Sequence, residues 1–305
     1  YLLLYHTHFI FTTPFCRGRS AAFLLSPDVH RMYLHSSRGF VTLKRQKTQR
    51  RERSMADTME KRPGFKQFAE MLYRGGKDAF FREAEASLRS GGKKFVITAN
   101  PETFTLGREN EEFGRLLLAE STTVIPDGIG VVKAANLFGI PLKERITGVD
   151  FVTALLEAAD RLHKSVFFYG AKPEVLEALL RRIGEEYPGV TVAGSRNGYG
   201  TDDDQVFAEI AELRPDIVLV ALGIPRQELL IGRHLQRFDK GIFVGVGGSF
   251  DVLSGTKKRA PAFFVKCNLE WLYRIIREPS RLGRFYRGNV RFMFQVKKEA
   301  RQTAK

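Results

Sequence analysis

Short apolar runs alternate with amphipathic stretches from about residue 93 to about residue 250. The runs are rich in Val, Ile and Phe and are four to six residues long, which predicts buried strands. We predict six strands, at residues 94–99, 122–125, 165–169, 190–193, 217–222 and 242–246. Strands that alternate with helices are typical of a parallel sheet covered by helices. The pattern therefore predicts an α/β fold, with a Rossmann-like, mostly parallel sheet and helices on both faces.

The stretches between these runs have helical periodicity. We predict helices at residues 102–120, 129–138, 151–163, 204–213 and 227–238, and helical character again at 261–277. Asp150 is expected to be the N-cap of the helix at 151–163. Because ligands of open α/β sheets bind at the carboxyl ends of the strands, the polar residues that follow the strands are the first candidates for a site.

Positive charge is concentrated at the two ends of the chain. The formal net charge is +15, with 10 Lys and Arg against 2 Asp and Glu in residues 1–54, and 14 against 3 in residues 257–305. Residues 55–256 carry a net charge of −4. We expect 1–54 to be disordered or a non-native upstream segment, 55–256 to be the α/β domain, and 257–305 to be a basic, helical C-terminal appendage, because segregated charge indicates a docking surface.

The cysteines and the longest apolar runs indicate the cellular compartment of the protein. Cys16 and Cys267 are far apart and belong to no Cys/His cluster, so neither a zinc site nor a disulfide framework is predicted. No apolar run approaches the roughly 20 residues that span a bilayer. A reduced, cytoplasmic protein is expected.

Asp127 is the leading candidate for chemistry. It stands between Pro126 and Gly128 at the end of a predicted strand, where a carboxylate can act as general base toward a hydroxyl nucleophile. A cap of the following helix explains it equally well. Thr98 and Asn100 end the first strand, and their side chains would share a direction if the strand persists, so that both could bind a sugar or diphosphate. A turn before the next proline is the other explanation of Asn100.

Residues at the ends of the later strands are predicted to bind the substrate. Helix N-termini offer free N–H groups to phosphate, and a glycine allows close approach. Glu228 is also explained as a partner of the helix dipole. The predicted substrate-binding residues are Gly170, Gly223, Gln227, Glu228 and Asp251.

No metal site is predicted. The aspartates at residues 202–204 could bind Mg²⁺ or Mn²⁺, but they directly precede a helix, and we interpret them as cap and dipole partners. His163 and His234 have no partner at ligand spacing. The glycines at residues 245, 247 and 248 resemble part of a dinucleotide fingerprint, so a nucleotide-binding oxidoreductase is one alternative function.

Arginines and aromatic residues interleave in the C-terminal segment, residues 257–305. Arg274, Arg277, Arg281 and Arg284 recur at the spacing of one helical face, although Pro279 favours two short helices over one. Aromatic rings beside arginines suit the interface of an anionic membrane, and arginine can also bind a diphosphate bidentately. A nucleic-acid-binding protein is the other alternative, since rings and arginines also bind single strands.

Seven blocks in a fixed order carry a resemblance to a known family. They are TANPE at 98–102, PDGIG at 126–130, RITGVD at 145–150, GIPRQE at 223–228, GVGGSFD at 245–251, KRAP at 258–261, and LEWLYR at 269–274 followed by Glu278 and Pro279. Together they resemble the WecG/TagA/CpsF glycosyltransferases, N-acetylmannosaminyltransferase-type enzymes of bacterial polysaccharide and wall teichoic acid synthesis.

The resemblance implies a function and a set of partners. It implies inverting, metal-independent transfer, with no cofactor, of an N-acetylmannosamine-type sugar from a UDP-sugar to an undecaprenyl-diphosphate-linked acceptor. The enzyme is expected to be peripheral on the inner face of the bacterial cell membrane. Nucleic acid is not an expected partner, and homo-oligomerisation is left open.

The resemblance also implies roles for individual residues. It makes Asp127 the base and adds Thr98, Asn100, Arg145 and Gln227 to the site. The arginines at residues 274, 281 and 284 are expected to complete the site over the lipid diphosphate. Loss of the C-terminal segment is therefore expected to lower activity even on a soluble acceptor.

Overall fold

The computed structural model describes residues 62–267 and 269–303. The chain divides between Lys61 and Arg62, and the described residues belong to the unit Arg62–Lys305. The predictions for residues 1–54, with Cys16, lie outside the described residues.

One sheet of six parallel strands forms the centre of the second unit. The strands are β1 (Lys93–Ala99), β2 (Thr122–Pro126), β3 (Ser165–Gly170), β4 (Thr191–Arg196), β5 (Ile217–Ala221) and β6 (Gly241–Gly245). They pair in the order β2-β1-β6-β5-β3-β4. Every residue of β5 and β6 is buried, which explains why these strands are apolar throughout. The six predicted strands and the α/β class are confirmed.

Helices cover both faces of the sheet, as predicted. They are α1 (Phe65–Glu70), α2 (Lys77–Ser90), α3 (Pro101–Glu109), α4 (Glu111–Leu117), α5 (Ile129–Leu137), α6 (Gly148–Arg161), α7 (Pro173–Glu186), α8 (Asp203–Leu213), α9 (Arg226–His234), α10 (Ser249–Leu253), α11 (Ala262–Lys266), α12 (Glu270–Arg277), α13 (Arg281–Phe285) and α14 (Arg291–Thr303). None of the helices in the described part of the chain is both long enough and apolar enough to cross a membrane.

Side chains alternate along the strands between two cores, since successive residues of a strand face opposite sides. Phe95 and Phe243 belong to the core that includes α1, α3, α4, α5, α8, α9 and α14. Val96 and Val244 belong to the other, with α2, α6, α7 and α10. Helices thus cover both faces of the sheet. Because the strands are parallel, the carboxyl ends of β2, β1, β6 and β5 lie next to one another in that order.

Two predicted helices differ from the observed ones because of local capping, and a third predicted stretch is divided in two. The stretch 102–120 is two helices, since Asn110 Oδ1 accepts from Phe113 N–H at 2.9 Å and starts a second helix. The helix predicted at 151–163 begins at Gly148, where Thr147 is the N-cap, and its Oγ1 accepts from Asp150 N–H at 3.1 Å. Asp150 is thus in the first turn rather than the cap. The stretch 261–277 is also two helices, α11 and α12.

The end of the C-terminal segment packs into the body of the domain. Phe292 and Val296 of α14 are fully buried. The Phe292 ring meets the Phe65 ring edge-on, with centroids 5.1 Å apart. Glu299 Oε1 accepts from Lys66 N–H at 3.0 Å, at the start of α1. Removing residues 257–305 would therefore uncover a core as well as remove the arginines, so substitutions test the segment better than truncation.

Candidate active site

Asp127 lies where β1, β2 and α6 meet. Its N–H donates to Ala99 O at 2.9 Å, which joins the end of β2 to the end of β1. Its Oδ1 accepts from Gly148 N–H at 3.3 Å, in the first turn of α6. The N-terminus of a helix attracts negative charge, so this contact orients the carboxylate. The alternative role, a cap of the following helix, is not observed: Gly128 is the N-cap of α5, and the carboxylate meets α6 instead.

Small residues in the PDGIG block keep Asp127 close to the start of α3. A Cβ atom on Gly128 would lie 3.0 Å from Pro101 Cδ, and one on Gly130 would lie 2.7 Å from Pro101 Cγ. Larger side chains at these positions would push the two loops apart. The block therefore brings Asp127 beside Asn100, and we call Thr98, Asn100 and Asp127 the aspartate corner.

Thr98 and Asn100 are held by different neighbours. A Cβ atom on Gly148 would lie 3.2 Å from Thr98 Cγ2, so Thr98 packs against the start of α6. β1 ends at Ala99, so the strand does not continue to Asn100, and the side chains of Thr98 and Asn100 are not expected to share a direction. Asn100 is the N-cap of α3, with Oδ1 accepting from the N–H groups of residues 102 and 103 at 2.8 and 3.1 Å. The cap uses Oδ1, and a substrate contact through Nδ2 stays a prediction.

Gln227 joins the loops that follow β5 and β6. Its Oε1 accepts from Gly223 N–H and Gly247 N–H, both at 3.1 Å. Its Nε2 donates to Glu228 Oε1 at 2.7 Å. Gln227 is only 3% exposed, so these contacts occupy an amide that is almost entirely inside the protein. Its direct contact with substrate stays a prediction, whereas its role in shaping the two loops is visible.

Glu228 is a buried acid beside this amide. It is 1% exposed, and burial raises its pKa to about 7, against the lowering effect of the hydrogen bond from Gln227. Its Oε2 has no hydrogen-bond partner among the described residues. A Cβ atom on Gly245 would lie 2.7 Å from Gln227 Nε2 and 2.8 Å from Glu228 Oε1. Gly245 thus makes room for these two side chains, and this packing explains the glycine without a dinucleotide-binding role. We call Gln227 and Glu228 the glutamine corner.

Gly170 and Asp251 shape the backbone around these corners. Gly170 has φ +113°, and a Cβ atom there would lie 2.4 Å from Ala221 O, so only glycine fits between β3 and β5. Asp251 Oδ1 lies 3.2 Å from Lys257 Nζ, and Asp251 O accepts from Lys257 N–H at 2.8 Å. Asp251 therefore fixes the turn that leads into the C-terminal segment, and its contact with substrate stays a prediction.

Arg145 pairs with a residue that the sequence did not single out as part of the site. Arg145 Nη2 donates to Glu270 Oε2 at 3.3 Å, and both side chains are largely buried. Arg259 Nη2 donates to Asp150 Oδ1 at 2.6 Å. Burial would raise the pKa of Asp150, but the Arg259 guanidinium and the Thr147 hydroxyl hold it below its usual value. The available signal was that Glu270 is one of only three acids in the basic segment 257–305.

The predicted arginine stripe runs over two helices. Residues 274 and 277 belong to α12, and residues 281 and 284 to α13, with Pro279 between them. Arg277 is exposed. The side chains of Arg274, Arg281 and Arg284 lie outside the described part of the structure, so their place over the site stays a prediction.

The aspartate run provides the predicted cap of α8 and also forms ion pairs that were not predicted. Asp202 Oδ1 accepts from Asp204 N–H at 2.9 Å as the N-cap of α8. Asp203 Oδ2 pairs with Arg226 Nη2 at 2.8 Å. Asp204 Oδ1 lies 2.9 Å from His234 Nε2, which gives this histidine a hydrogen-bond partner. Within the described residues, no group of three or more His, Cys, Asp or Glu side chains is arranged to hold a metal ion.

Comparison with known sequences matches residues 73–305 to the glycosyl transferase WecG/TagA/CpsF family. Similar proteins include one from Bacillus spizizenii, 42% identical over 211 residues, which cover 69% of this chain and 81% of the relative. One from Bacillus subtilis is 42% identical over 190 residues, 62% of this chain and 73% of the relative. One from Staphylococcus aureus strain MW2 is 34% identical over 217 residues, 71% and 85% of the two chains.

All three relatives carry the same name, N-acetylglucosaminyldiphosphoundecaprenol N-acetyl-beta-D-mannosaminyltransferase. The matched region spans the sheet, both corners and the C-terminal segment. The chain therefore belongs to the WecG/TagA/CpsF family and is a glycosyltransferase.

Proposed function

We propose that this enzyme transfers N-acetylmannosamine from a UDP-sugar to N-acetylglucosamine linked to undecaprenyl diphosphate, in the synthesis of a bacterial cell-surface polymer. The names of the relatives support the sugar and the acceptor. On the chain itself, the observation that carries the proposal is the carboxylate of Asp127, held by the N-terminus of α6 at the edge where four strands end.

The proposed reaction is a direct displacement with inversion. A hydroxyl of the acceptor sugar attacks the anomeric carbon of the donor, and the bond from that carbon to the UDP oxygen breaks. Asp127 takes the hydroxyl proton as general base, and the hydrogen bond from Gly148 orients it for this step. The departing diphosphate gains negative charge, which Arg145 and the tail arginines at 274, 281 and 284 are suited to stabilise. No step uses a metal ion.

The C-terminal segment supports binding to the inner face of the membrane. Large apolar side chains are exposed on it beside the arginines, namely Phe263, Trp271, Ile276, Leu282 and Tyr286. The Trp271 and Phe285 rings stack with centroids 4.5 Å apart, which joins α12 and α13. Each Lys or Arg near an anionic leaflet contributes about 1 kcal/mol, so the segment's charge would hold the domain reversibly on such a surface.

Product analysis tests the proposed reaction. The purified enzyme is incubated with a panel of UDP-sugars and a short polyprenyl-diphosphate-linked N-acetylglucosamine. We expect a disaccharide product only with UDP-N-acetylmannosamine, with the new bond in the β configuration. Product from another donor would overturn the choice of sugar, and no product from any donor would overturn the reaction. A thermal-shift comparison of UDP, NAD and single-stranded DNA tests the two alternative functions.

Vesicle sedimentation tests the membrane surface. Replacing Ile276, Leu282 and Tyr286 by Ser should weaken binding to phosphatidylglycerol vesicles without lowering the melting temperature, because these side chains are exposed. Val192 and Leu213, exposed apolar residues of the body, provide the matched control when replaced by Ser. Equal binding by both variants would contradict the proposed surface.

A further inference from the structure

Glu270 is a buried carboxylate at the first position of α12. It is 8% exposed, although the helix that carries it belongs to the basic C-terminal segment. Its Oε2 accepts from Arg145 Nη2 at 3.3 Å, and its Oε1 lies 3.9 Å from Arg259 Nε. One carboxylate thus lies between two arginines that come from different parts of the chain.

The contacts continue from Glu270 to the aspartate corner. Arg259 Nη2 donates to Asp150 Oδ1 at 2.6 Å, and Asp150 is in the first turn of α6. Gly148, in the same turn, donates its N–H to Asp127 Oδ1. Two ion pairs, one helical turn and one hydrogen bond therefore connect Glu270 to the proposed base.

The charges in this network depend on one another. Arg145 and Arg259 are balanced by Glu270 and Asp150, with Lys77 Nζ 3.9 Å from Asp150 Oδ2. Breaking a largely buried ion pair by removing one partner is costly, because it leaves the other charge out of water and uncompensated. Loss of the Glu270 charge would leave Arg145 without the carboxylate that holds it in this structure.

We propose that Glu270 is a positioning residue for the transfer reaction. Its carboxylate holds Arg145 at the site and, through Arg259 and Asp150, couples the docking of α12 to the turn that orients Asp127. The inference rests on the proposed function and deepens it. The arginines of the C-terminal segment are predicted to act on the substrate. Glu270 of the same segment would instead act on the protein's own arginines.

Steady-state kinetics of Glu270→Gln test the proposal. We expect kcat of the folded variant to fall at least tenfold, while the KM for the UDP-sugar stays close to that of the wild type. The melting temperature should also fall, because Arg145 and Arg259 lose the carboxylate they share. Glu278→Gln is the matched control, since it removes the same charge from the same segment, at a more exposed site where Glu278 lies 3.9 Å from Lys257. Wild-type kcat for Glu270→Gln, or an equal loss in Glu278→Gln, would overturn the proposal.

A double variant separates coupling from a general loss of structure. If the network acts as a unit, adding Arg259→Gln to Glu270→Gln should lower kcat by much less than Arg259→Gln does alone. Independent, multiplying losses would contradict the coupling. If Glu270→Gln does not fold, Glu270→Asp replaces it in the test, because aspartate keeps the charge on a shorter side chain. Glu270→Asp must then lower kcat at a wild-type melting temperature. Wild-type kcat in a folded Glu270→Asp would overturn the proposal.

Hydrogen exchange gives a readout that does not depend on turnover. Glu270→Gln should speed amide exchange in residues 145–152, whereas Glu278→Gln should not. Unchanged exchange there would overturn the coupling even for an active enzyme. If the wild-type enzyme makes no product with any donor, the proposed function is overturned. Faster exchange in Glu270→Gln would in that case still support the coupling.

Discussion

The aspartate corner and the glutamine corner lie at the same edge of the sheet but use their polar groups in opposite ways. In the aspartate corner, Thr98, Asn100 and Asp127 are partly exposed and rest against helix N-termini. In the glutamine corner, Gln227 and Glu228 are buried and bind each other and the loop N–H groups. Position at a strand end thus marks a residue as important without telling whether it meets the ligand or shapes the loops around it.

Asp127→Asn should give the largest effect on activity. A general base contributes about 10²- to 10⁴-fold, so we expect transfer to be abolished in a standard assay while UDP still binds. Isothermal titration with UDP checks binding, and product analysis checks transfer. Asp239→Asn is the control, since Asp239 is exposed and precedes β6, at the side of the sheet opposite the carboxyl ends of the strands. Normal turnover by Asp127→Asn would remove its role as base.

Gln227→Ala should lower stability as well as activity. The change leaves the N–H groups of Gly223 and Gly247 and the Glu228 Oε1 atom without their partner, and each buried unpaired group costs about 1–3 kcal/mol. We expect a total loss of roughly 4 kcal/mol in chemical denaturation. Gln205→Ala, at an exposed position of α8, should change little. A stable Gln227→Ala with lowered activity would instead indicate direct contact with substrate.

Glu228→Gln should change how stability depends on pH. Because the folded state raises the pKa of Glu228 from 4.5 to about 7, the folded protein binds this proton more tightly than the unfolded chain. The stabilisation is fully present below pH 4.5 and is lost as the pH rises to about 7, by roughly 3 kcal/mol. Glutamine does not ionise, so the stability of the variant relative to the wild type should increase from pH 5 to pH 8. Parallel denaturation profiles would contradict an ionising, buried Glu228.

Asn100→Ala should have the smallest effect on stability, a loss of about 1 kcal/mol from the N-cap of α3. Asn110→Ala removes the equivalent cap of α4 and should cost a similar amount. The two variants separate capping from substrate binding, because only Asn100→Ala should raise the KM for the UDP-sugar. Equal KM values would leave Asn100 as a cap alone.

The sequence predicted the sheet well for a physical reason. Strands buried on both faces are apolar at nearly every position, and this signal is local. Helix ends were less accurate, since Asn110 and Thr147 decide them through single side-chain hydrogen bonds that leave the periodic pattern unchanged. The role of Asp127 as a helix cap and as a base could not be separated, because the helix that it meets is not the one that follows it.

The contacts that complete the site were beyond the sequence because they join distant segments. Arg145 and Glu270 are 125 positions apart, and Gln227 reaches the loop of Gly247 twenty positions on. No periodicity or composition indicates such pairs. Burial of Gln227 and Glu228 likewise depends on the sheet and on the space left by Gly245, which only the assembled fold provides.

The burial of Phe292 has a consequence for how the chain is made. Its ring contacts those of Phe65 and Phe104, with centroids 5.1 and 6.2 Å apart, so one core needs residues from both ends of the domain. A ribosome makes α14 after every other described helix, and until then Phe65 and Phe104 lack the Phe292 ring that packs against them. The domain therefore reaches its native packing only after α14 has been made, and a chain stopped after α13 would remain exposed to proteases and chaperones.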